Sequence, residues 1–367
     1  MRVVIAGGGT AGHVFPAVAL ADRLGGDLGA DISFIGSPSG QEATLVPEAG
    51  YEFHAVEAAP LLREVSIRAA RAPLVALRSV RKCRPLVAGA DVVVGMGGYV
   101  SAPAVLAATR ARIPVVLHEQ NAIPGLANRL LARRAASVGV SFEDARPRFP
   151  ATVPVSLTGN PVRARIRDVS ARRAELATDA WDALGLEPTR TTVVVLGGSQ
   201  GALHVDMTVA AALDEMRDRG DLQLIVLTGP AHLGVLEASA EPAMALRVTA
   251  IPFLDRMELA YAVADLAVAR AGATSIAELS VCGIPSILIP YPHATENHQE
   301  ANARELERAG AAEILLDRDL SPHLLARRIL GLVDDGERRR TMAGCAVAWS
   351  KPDAAERLAS LVLEVVA

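Results

Sequence analysis

Alternating strand and helix signals predict an α/β chain of doubly wound βαβ units, arranged as two parallel-sheet domains. Three observations carry this expectation. Short, nearly continuous Val/Ile/Leu runs alternate with helical patterns along the whole chain. Such runs mark strands buried on both faces, as in parallel sheets. A strand–glycine–helix unit, "VVIAGGGTAGHVFPAVALADRL" from Val3, returns in plan as "VVVLGGSQGALHVDMTVAAAL" from Val193. Finally, 367 residues suffice for two ordinary domains, and a composition 51% hydrophobic but 3% aromatic suits aliphatic α/β cores.

In chain order, the first half offers strands at Val3–Ala6, Ile32–Ile35, Val92–Val94, Val115–Leu117 and Ser137–Val140. The second half offers Thr192–Leu196, Leu222–Leu227, Arg247–Ala250, Leu266–Ala269, Ser286–Ile289 and Ala312–Leu315. Helical patterns at Pro16–Leu24, Ala102–Ala111, Leu203–Asp218 and Ser275–Val281 lie between them. From Ser141 to Arg190 the rhythm breaks in Pro- and Arg-rich sequence, which places a boundary near Gly159–Arg165. The expected division is 1–162 and 163–349, with 350–367 packing back on the first domain as a helix over Ala354–Val366.

Composition narrows the function classes. A formal charge of −4 gives no reason to expect nucleic acid as a partner. The basic residues are arginine apart from Lys82 and Lys351. Cys83, Cys282 and Cys345 are scattered, with neither metal spacing nor a disulfide framework, as in a reducing cytoplasm. The expected chain carries no signal peptide, and no apolar run reaches the ~20 residues of a membrane span. Any membrane contact is therefore expected at the surface.

The glycine loops carry the chemistry. A glycine turn from strand to helix lets backbone N–H groups and the helix dipole meet a phosphate. Gly7, Gly9 and Gly12 satisfy G-x-G-x-x-G, a pattern that is unspecific by itself. A nicotinamide enzyme needs an acidic residue ending the next strand, but that strand runs into Ile35-Gly36-Ser37. A third cluster, "DVVVGMGGYVSAP", also follows a strand. Its ordinary reading is tight strand–helix packing. Three clusters at strand ends also suit an inter-domain cleft that binds a diphosphate. His13, directly after the first loop, either caps its helix or serves as a base. The dipole there favours a neutral imidazole, which can accept a hydroxyl proton.

"GGTAGHVFPAVALA", "GMGGYVSAP", "VVLHEQNAIPGLANRLLA", "GNPVR", "LGGSQGA" and "RAGATSIAELSVCGIPSILIPYPHATENHQEANARELERAGAA" together resemble, in order, the MurG family of bacterial peptidoglycan N-acetylglucosaminyltransferases. The resemblance spans nearly the whole chain. It implies a GT-B fold, two Rossmann-like domains facing across a cleft. It implies inverting transfer of N-acetylglucosamine (GlcNAc) from UDP-GlcNAc to the C4 hydroxyl of the muramyl sugar of lipid I, giving lipid II. No cofactor is implied. The family's first loop usually reads T-G-G-H, and here it is Thr10-Ala11-Gly12-His13.

Carried over by motif, Thr10, Ala11 and Gly12 line the donor–acceptor cleft with Asn121 and Arg163, and Tyr99 is a further substrate-binding candidate. Ser199 matches a donor phosphate ligand and Leu254 a position whose backbone meets uracil. Ala273, Thr274 and Ser275 belong to the donor loop, Glu278 to the ribose and Gln299 to the sugar. Leu254 also reads as plain core, and Glu278 as a surface helix residue. His13 is the first candidate base, with Glu119 and then His118 as rivals. An alternative reading has the adjacent pair orient each other rather than the acceptor. No D-x-D motif stands at a glycine loop, so no obligatory metal is expected, and helix N-termini and hydroxyl donors must stabilise the departing UDP.

The stretch Pro60–Pro85 mixes Arg63, Arg68, Arg71, Arg78, Arg81, Lys82 and Arg84 with Leu74, Val75, Leu77 and Val80. On its residues alone it reads as a solvated helix face. With the resemblance it reads as a peripheral contact to anionic lipid on the cytoplasmic face of the cell membrane. Arg63 and Arg68 are alternatively placed to meet the acceptor's pyrophosphate. Cell-wall and division assembly proteins are further expected partners. Three other readings stay open: a transferase with another lipid acceptor, a sugar-nucleotide epimerase, and a non-catalytic nucleotide-binding scaffold. "GMGGYVSAP" and "HEQN" weigh against the first two, and His13, His118 and Glu119 together against the third.

Overall fold

The computed structural model describes residues 1–58, 67–198, 202–229, 231–239 and 243–367. The chain divides into two compact units, Met1–Arg163 together with Lys351–Ala367, and Ala164–Ser350. Each is built around a parallel sheet.

In the first unit the strands are β1 (Arg2–Ala6), β2 (Asp31–Gly36), β3 (Glu52–Ala55), β4 (Val92–Gly95), β5 (Val115–Glu119), β6 (Ser137–Val140) and β7 (Val155–Leu157), in the order β3-β2-β1-β4-β5-β6-β7. The second unit has β8 (Thr191–Leu196), β9 (Leu222–Leu227), β10 (Arg247–Ile251), β11 (Leu266–Ala269), β12 (Ser286–Leu288) and β13 (Ala312–Ile314), in the order β10-β9-β8-β11-β12-β13. In both, the order reverses beside the first strand, between β1 and β4 and between β8 and β11. Diverging helices leave a crevice at the carboxyl end of such a switch point. The register Ala6↔Gly95 brings the first and third glycine clusters side by side there.

The pleat explains the apolar runs. Val4, Ala6, Val93 and Leu117 face one side of the first sheet, with Val80, Cys83 and Val87 of helix Ile67–Val87 and Ala104 and Ala108 of helix Gly98–Arg110. Val3, Ile5, Val92, Val94 and Val116 face the other, with Leu20 of helix Ala11–Asp22 and Leu358 and Val362 of helix Ala354–Val366. Successive residues pack against opposite layers, so both faces at the centre of these strands are apolar.

Two strands lacked a sequence signal. β3 and β7 are the edges of the first sheet, and their short segments, EFHA and VSL, are half-exposed. An edge strand with a wet face needs no apolar run. Helices also begin earlier than expected. Those containing Pro16 and Pro103 start at Ala11 and Gly98, inside the glycine clusters, with the proline in the interior.

Candidate active site

In the first unit the site candidates gather at the switch point. Thr10 is the exposed N-cap of helix Ala11–Asp22, and its carbonyl accepts the His13 backbone N–H at 3.0 Å. Ala11 is buried, and Gly12 and His13 are half-buried. The imidazole of His13 lies against the third glycine cluster. A β-carbon on Gly98 would stand 3.5 Å from His13 Cδ2 and 3.0 Å from the Gly8 carbonyl oxygen. A β-carbon on Gly97 would meet Gln120 Oε1 at 3.1 Å and His13 Cε1 and Asn128 Nδ2 each at 3.6 Å. Both glycines have positive φ, +84° and +73°. Only glycine meets the backbone and the space requirements together.

Tyr99 follows at the start of helix Gly98–Arg110, with its ring partly exposed. Arg163 reaches the same helix as His13: its guanidinium carbon lies 3.9 Å from the centre of the Phe15 ring. Such stacking holds the planar cation without neutralising it.

His118 and Glu119 do not orient each other. Neighbours in β5, they are held by different partners. His118 is fully buried, with Nε2 3.0 Å from the Gly159 carbonyl and Nδ1 3.1 Å from Gln120 Nε2. A carbonyl only accepts, so Nε2 carries the proton and Nδ1 accepts from the Gln120 amide. That amide also donates to the Met96 carbonyl at 2.8 Å. Burial pushes the His118 ring down to about 4; the Gly159 bond opposes this and the neighbouring His13 adds to it.

The Glu119 carboxylate is enclosed by its own loop. Oε1 accepts the Asn121 backbone N–H at 3.0 Å and its side-chain amide at 3.3 Å. Oε2 accepts from Gly125 N–H at 3.0 Å and Asn128 Nδ2 at 2.9 Å. Burial raises its pKa, and these four donors oppose the rise.

In the second unit, Ala273, Thr274 and Ser275 form the first turn of helix Ala273–Val281 after β11, and buried Glu278 follows one turn later. Glu278 Oε2 accepts from Tyr261 Oη at 2.9 Å. Tyr261 lies on helix Met257–Val263, directly after the loop that carries Leu254. Tyr261 thus bonds the ribose candidate from the helix that follows the uracil candidate's loop. Leu254 is half-buried, between Phe253, which is 73% exposed, and exposed Asp255. Gln299 opens helix His298–Arg308, and its Oε1 accepts the Tyr291 N–H at 2.9 Å. Asn302 of that helix donates to the Ala271 carbonyl at 3.2 Å, anchoring the loop after β11. Ser199 lies outside the described residues, as does Arg63.

Several side chains around these loops gave no sequence signal. Arg270, at the end of β11, pairs with Asp317, whose other oxygen meets His204 Nδ1 at 3.0 Å. Asp206, buried in the first turn of helix Leu203–Met216, pairs with His232 Nδ1 at 2.9 Å. In the first unit the loop carrying His13 is tied to Gln41 and Glu42. No short spacing links any of these partners. Among the described residues, no group of three or more His, Cys, Asp or Glu is arranged to hold a metal ion.

Comparison with known proteins identifies the family. Residues 3–140 match the glycosyltransferase family 28 N-terminal domain, and 192–358 match its C-terminal domain. The chain is 42% identical to a UDP-N-acetylglucosamine--N-acetylmuramyl-(pentapeptide) pyrophosphoryl-undecaprenol N-acetylglucosamine transferase of Halothermothrix orenii, over 99% of this chain and 98% of that one. It is similar to the crystal structure of Acinetobacter baumannii MurG, with a TM-score of 0.79 and 28% identity over 99% of both chains. The UDP-GlcNAc 2-epimerase of Neisseria meningitidis, at a TM-score of 0.70 and 12% identity, shares the fold alone. The chain has the GT-B fold and belongs to the MurG family of UDP-N-acetylglucosamine--N-acetylmuramyl-(pentapeptide) pyrophosphoryl-undecaprenol N-acetylglucosamine transferases.

Proposed function

We propose that this chain transfers GlcNAc from UDP-GlcNAc to the C4 hydroxyl of the muramyl sugar of lipid I, forming lipid II for peptidoglycan. The carrying observation is end-to-end identity of 42% to a relative named for this reaction. Fold likeness alone does not separate a transferase from an epimerase. His13, packed on Gly97 and Gly98, supports the transferase reading, because the reaction needs a base beside the acceptor.

The C4 oxygen attacks the anomeric carbon as the bond from that carbon to the diphosphate oxygen breaks. The hydroxyl proton passes to His13, and UDP leaves with the electron pair. A placed base of this kind contributes about 10²–10⁴-fold. The buried His118, with both ring nitrogens engaged, and Glu119, enclosed by four donors, support positioning roles: His118 holds Gln120 and the Gly159 carbonyl, and Glu119 holds the loop on which Asn121 stands. On the donor side, Glu278 takes ribose hydroxyls, and the start of helix Ala273–Val281 offers N–H dipoles to the leaving diphosphate. Thr10, Ala11, Gly12, Tyr99 and Arg163 serve the acceptor side. Ser199 remains the phosphate ligand that its motif implies. Catalysis on this reading needs no obligatory metal.

The acceptor is lipid-linked, so the enzyme works at the membrane surface. Among the described residues no helix is long and apolar enough to cross a membrane. Helix Ile67–Val87 exposes Arg78, Arg81 and Lys82 beside Leu77, which is 47% exposed, while Val80, Cys83 and Val87 face the core. Exposed cations beside an apolar side chain suit an anionic bilayer.

The test is UDP release by the purified chain with a lipid I analogue and a panel of UDP-sugars. Acceptor-dependent release from UDP-GlcNAc above the other donors supports the assignment. Release from none of them refutes it.

A further inference from the structure

The first glycine loop has the makings of a phosphate seat, with backbone N–H groups turned outward between a strand and a helix. That seat is filled from within the chain. Glu42 opens helix Glu42–Glu48 and is 1% exposed. Its Oε2 accepts the Gly9 N–H at 2.7 Å, and its Oε1 accepts the Ser37 N–H at 2.8 Å. The preceding Gln41 accepts the Ala11 N–H through Oε1 at 2.6 Å. Three glycines wall the carboxylate. A β-carbon on Gly8, Gly36 or Gly40 would come within 2.1, 2.4 and 2.2 Å, respectively, of Glu42 side-chain atoms. The seat therefore fits this one side chain closely.

We infer that Glu42 is a positioning residue of the transfer reaction: it occupies the anion seat of the first glycine loop and thereby fixes His13 against Gly97 and Gly98. Glu42 and Gln41 tie down alternate residues of the loop, Gly9 and Ala11, just before the turn that carries His13. The Gly8 carbonyl, next to the Gly9 tie, is the group that a Gly98 β-carbon would strike. Loosening Gly9 thus loosens the surface on which the His13 ring rests. A second consequence concerns the substrate. The Gly9 and Ala11 N–H groups are already bonded, so a phosphate of the acceptor is met by other groups.

This inference rests on the reading of His13 as base, and the experiment separates the two. Glu42→Ala, Glu42→Gln and His13→Ala are compared with the parent for kcat, for KM of UDP-GlcNAc and for thermal unfolding, with and without sodium formate. A displacement of about 1 Å in a catalytic group costs up to about 10²-fold. Glu42→Ala is therefore expected to lose about 10- to 100-fold in kcat with donor KM nearly kept. Formate, a free carboxylate of the right size, is expected to restore much of that loss, whereas chloride at equal ionic strength does not. Glu42→Gln fills the seat but sets an amide N–H₂ against one of the two backbone donors, so its kcat falls and formate leaves it unchanged. Amide exchange at Gly9 and Ala11 gives a readout independent of turnover. It should be slow in the parent, fast in Glu42→Ala and slow again with formate.

Parent-like kcat in a Glu42 variant, a loss confined to donor KM, or a folded Glu42→Ala that formate neither reactivates nor protects from exchange would overturn the inference. If Glu42→Ala fails to fold, Glu42→Gln decides. Lost kcat at a parent-like melting temperature supports the role, and parent kcat removes it. Full kcat in His13→Ala would instead sink the base assignment. A parent inactive on every acceptor would sink the function, and amide exchange would then decide the clamp alone.

Discussion

The buried imidazole of His118 gives the first unit a pH dependence that can be worked out from its surroundings. Its ordinary value is 6.5, and in the folded chain burial lowers it to about 4. Between these values the unfolded chain binds a proton on this ring and the folded chain does not. Unfolding therefore takes up a proton, and stability falls as pH falls. The contribution is complete above about pH 6.5 and is lost as pH drops to about 4. At about 1.4 kcal/mol per pH unit, the full difference is about 3 kcal/mol, of which about 2 kcal/mol disappears between pH 7 and pH 5. Urea unfolding followed by circular dichroism at those pH values, for the parent and for His118→Gln, isolates the effect. The substitution removes the titration, so the parent should lose about 2 kcal/mol more than the variant on acidification. Both tryptophans, Trp181 and Trp349, lie in the second unit. Their fluorescence transition should shift equally in the two proteins and serves as an internal control. An identical loss of stability in parent and variant would mean that His118 titrates normally and that its enclosure by Gly159 and Gln120 is wrong.

Three further expectations follow from the same geometry. Glu278→Ala should weaken UDP-GlcNAc binding by about 1.5–3 kcal/mol through loss of a charge-assisted hydrogen bond, and Tyr261→Phe should weaken it less; unchanged calorimetric affinity in a folded Glu278→Ala would refute the ribose assignment. Gly98→Ala places a methyl group at φ +73°, 3.0 Å from the Gly8 carbonyl oxygen. It should cost about 1–2 kcal/mol of stability from the backbone alone and lower kcat more than donor affinity, so parent-like melting and turnover would contradict the packing of His13. Replacing Arg78, Arg81 and Lys82 with Gln should weaken sedimentation with anionic vesicles, as high salt should for the parent, and leave turnover of a soluble acceptor nearly unchanged. Equal sedimentation would remove this helix from the membrane face.

What was legible in the sequence depended on where a residue's constraint came from. Strands such as β1 and β8 announced themselves because both faces are buried and every residue is apolar. β3 and β7 did not, because an edge strand asks less of its side chains. The proline in helix Ala11–Asp22 places the expected start at Pro16, more than one turn late, although the backbone is already helical at Ala11. His13 and the glycine clusters were visible because their meaning is local: a turn, a positive φ, a helix start. Glu42 was not, since its partner Gly9 lies 33 residues away and only the pairing of β1 with β2 brings them together. His118 and Glu119 were visible as candidates, but their work was not. Only the packed loop shows that one is enclosed by Gly159 and Gln120 and the other by Asn121, Gly125 and Asn128.

The most direct test of the central claim is the linkage in the product formed by the purified chain from UDP-GlcNAc and a lipid I analogue, read by nuclear magnetic resonance. Attack from the face opposite the diphosphate converts the α-linked donor into a β-linked sugar. The account predicts a single GlcNAc, β-linked to the C4 hydroxyl of the muramyl residue, with UDP released in equal amount. An α-linkage, attachment at another hydroxyl, or an epimerised nucleotide with the acceptor untouched would contradict it.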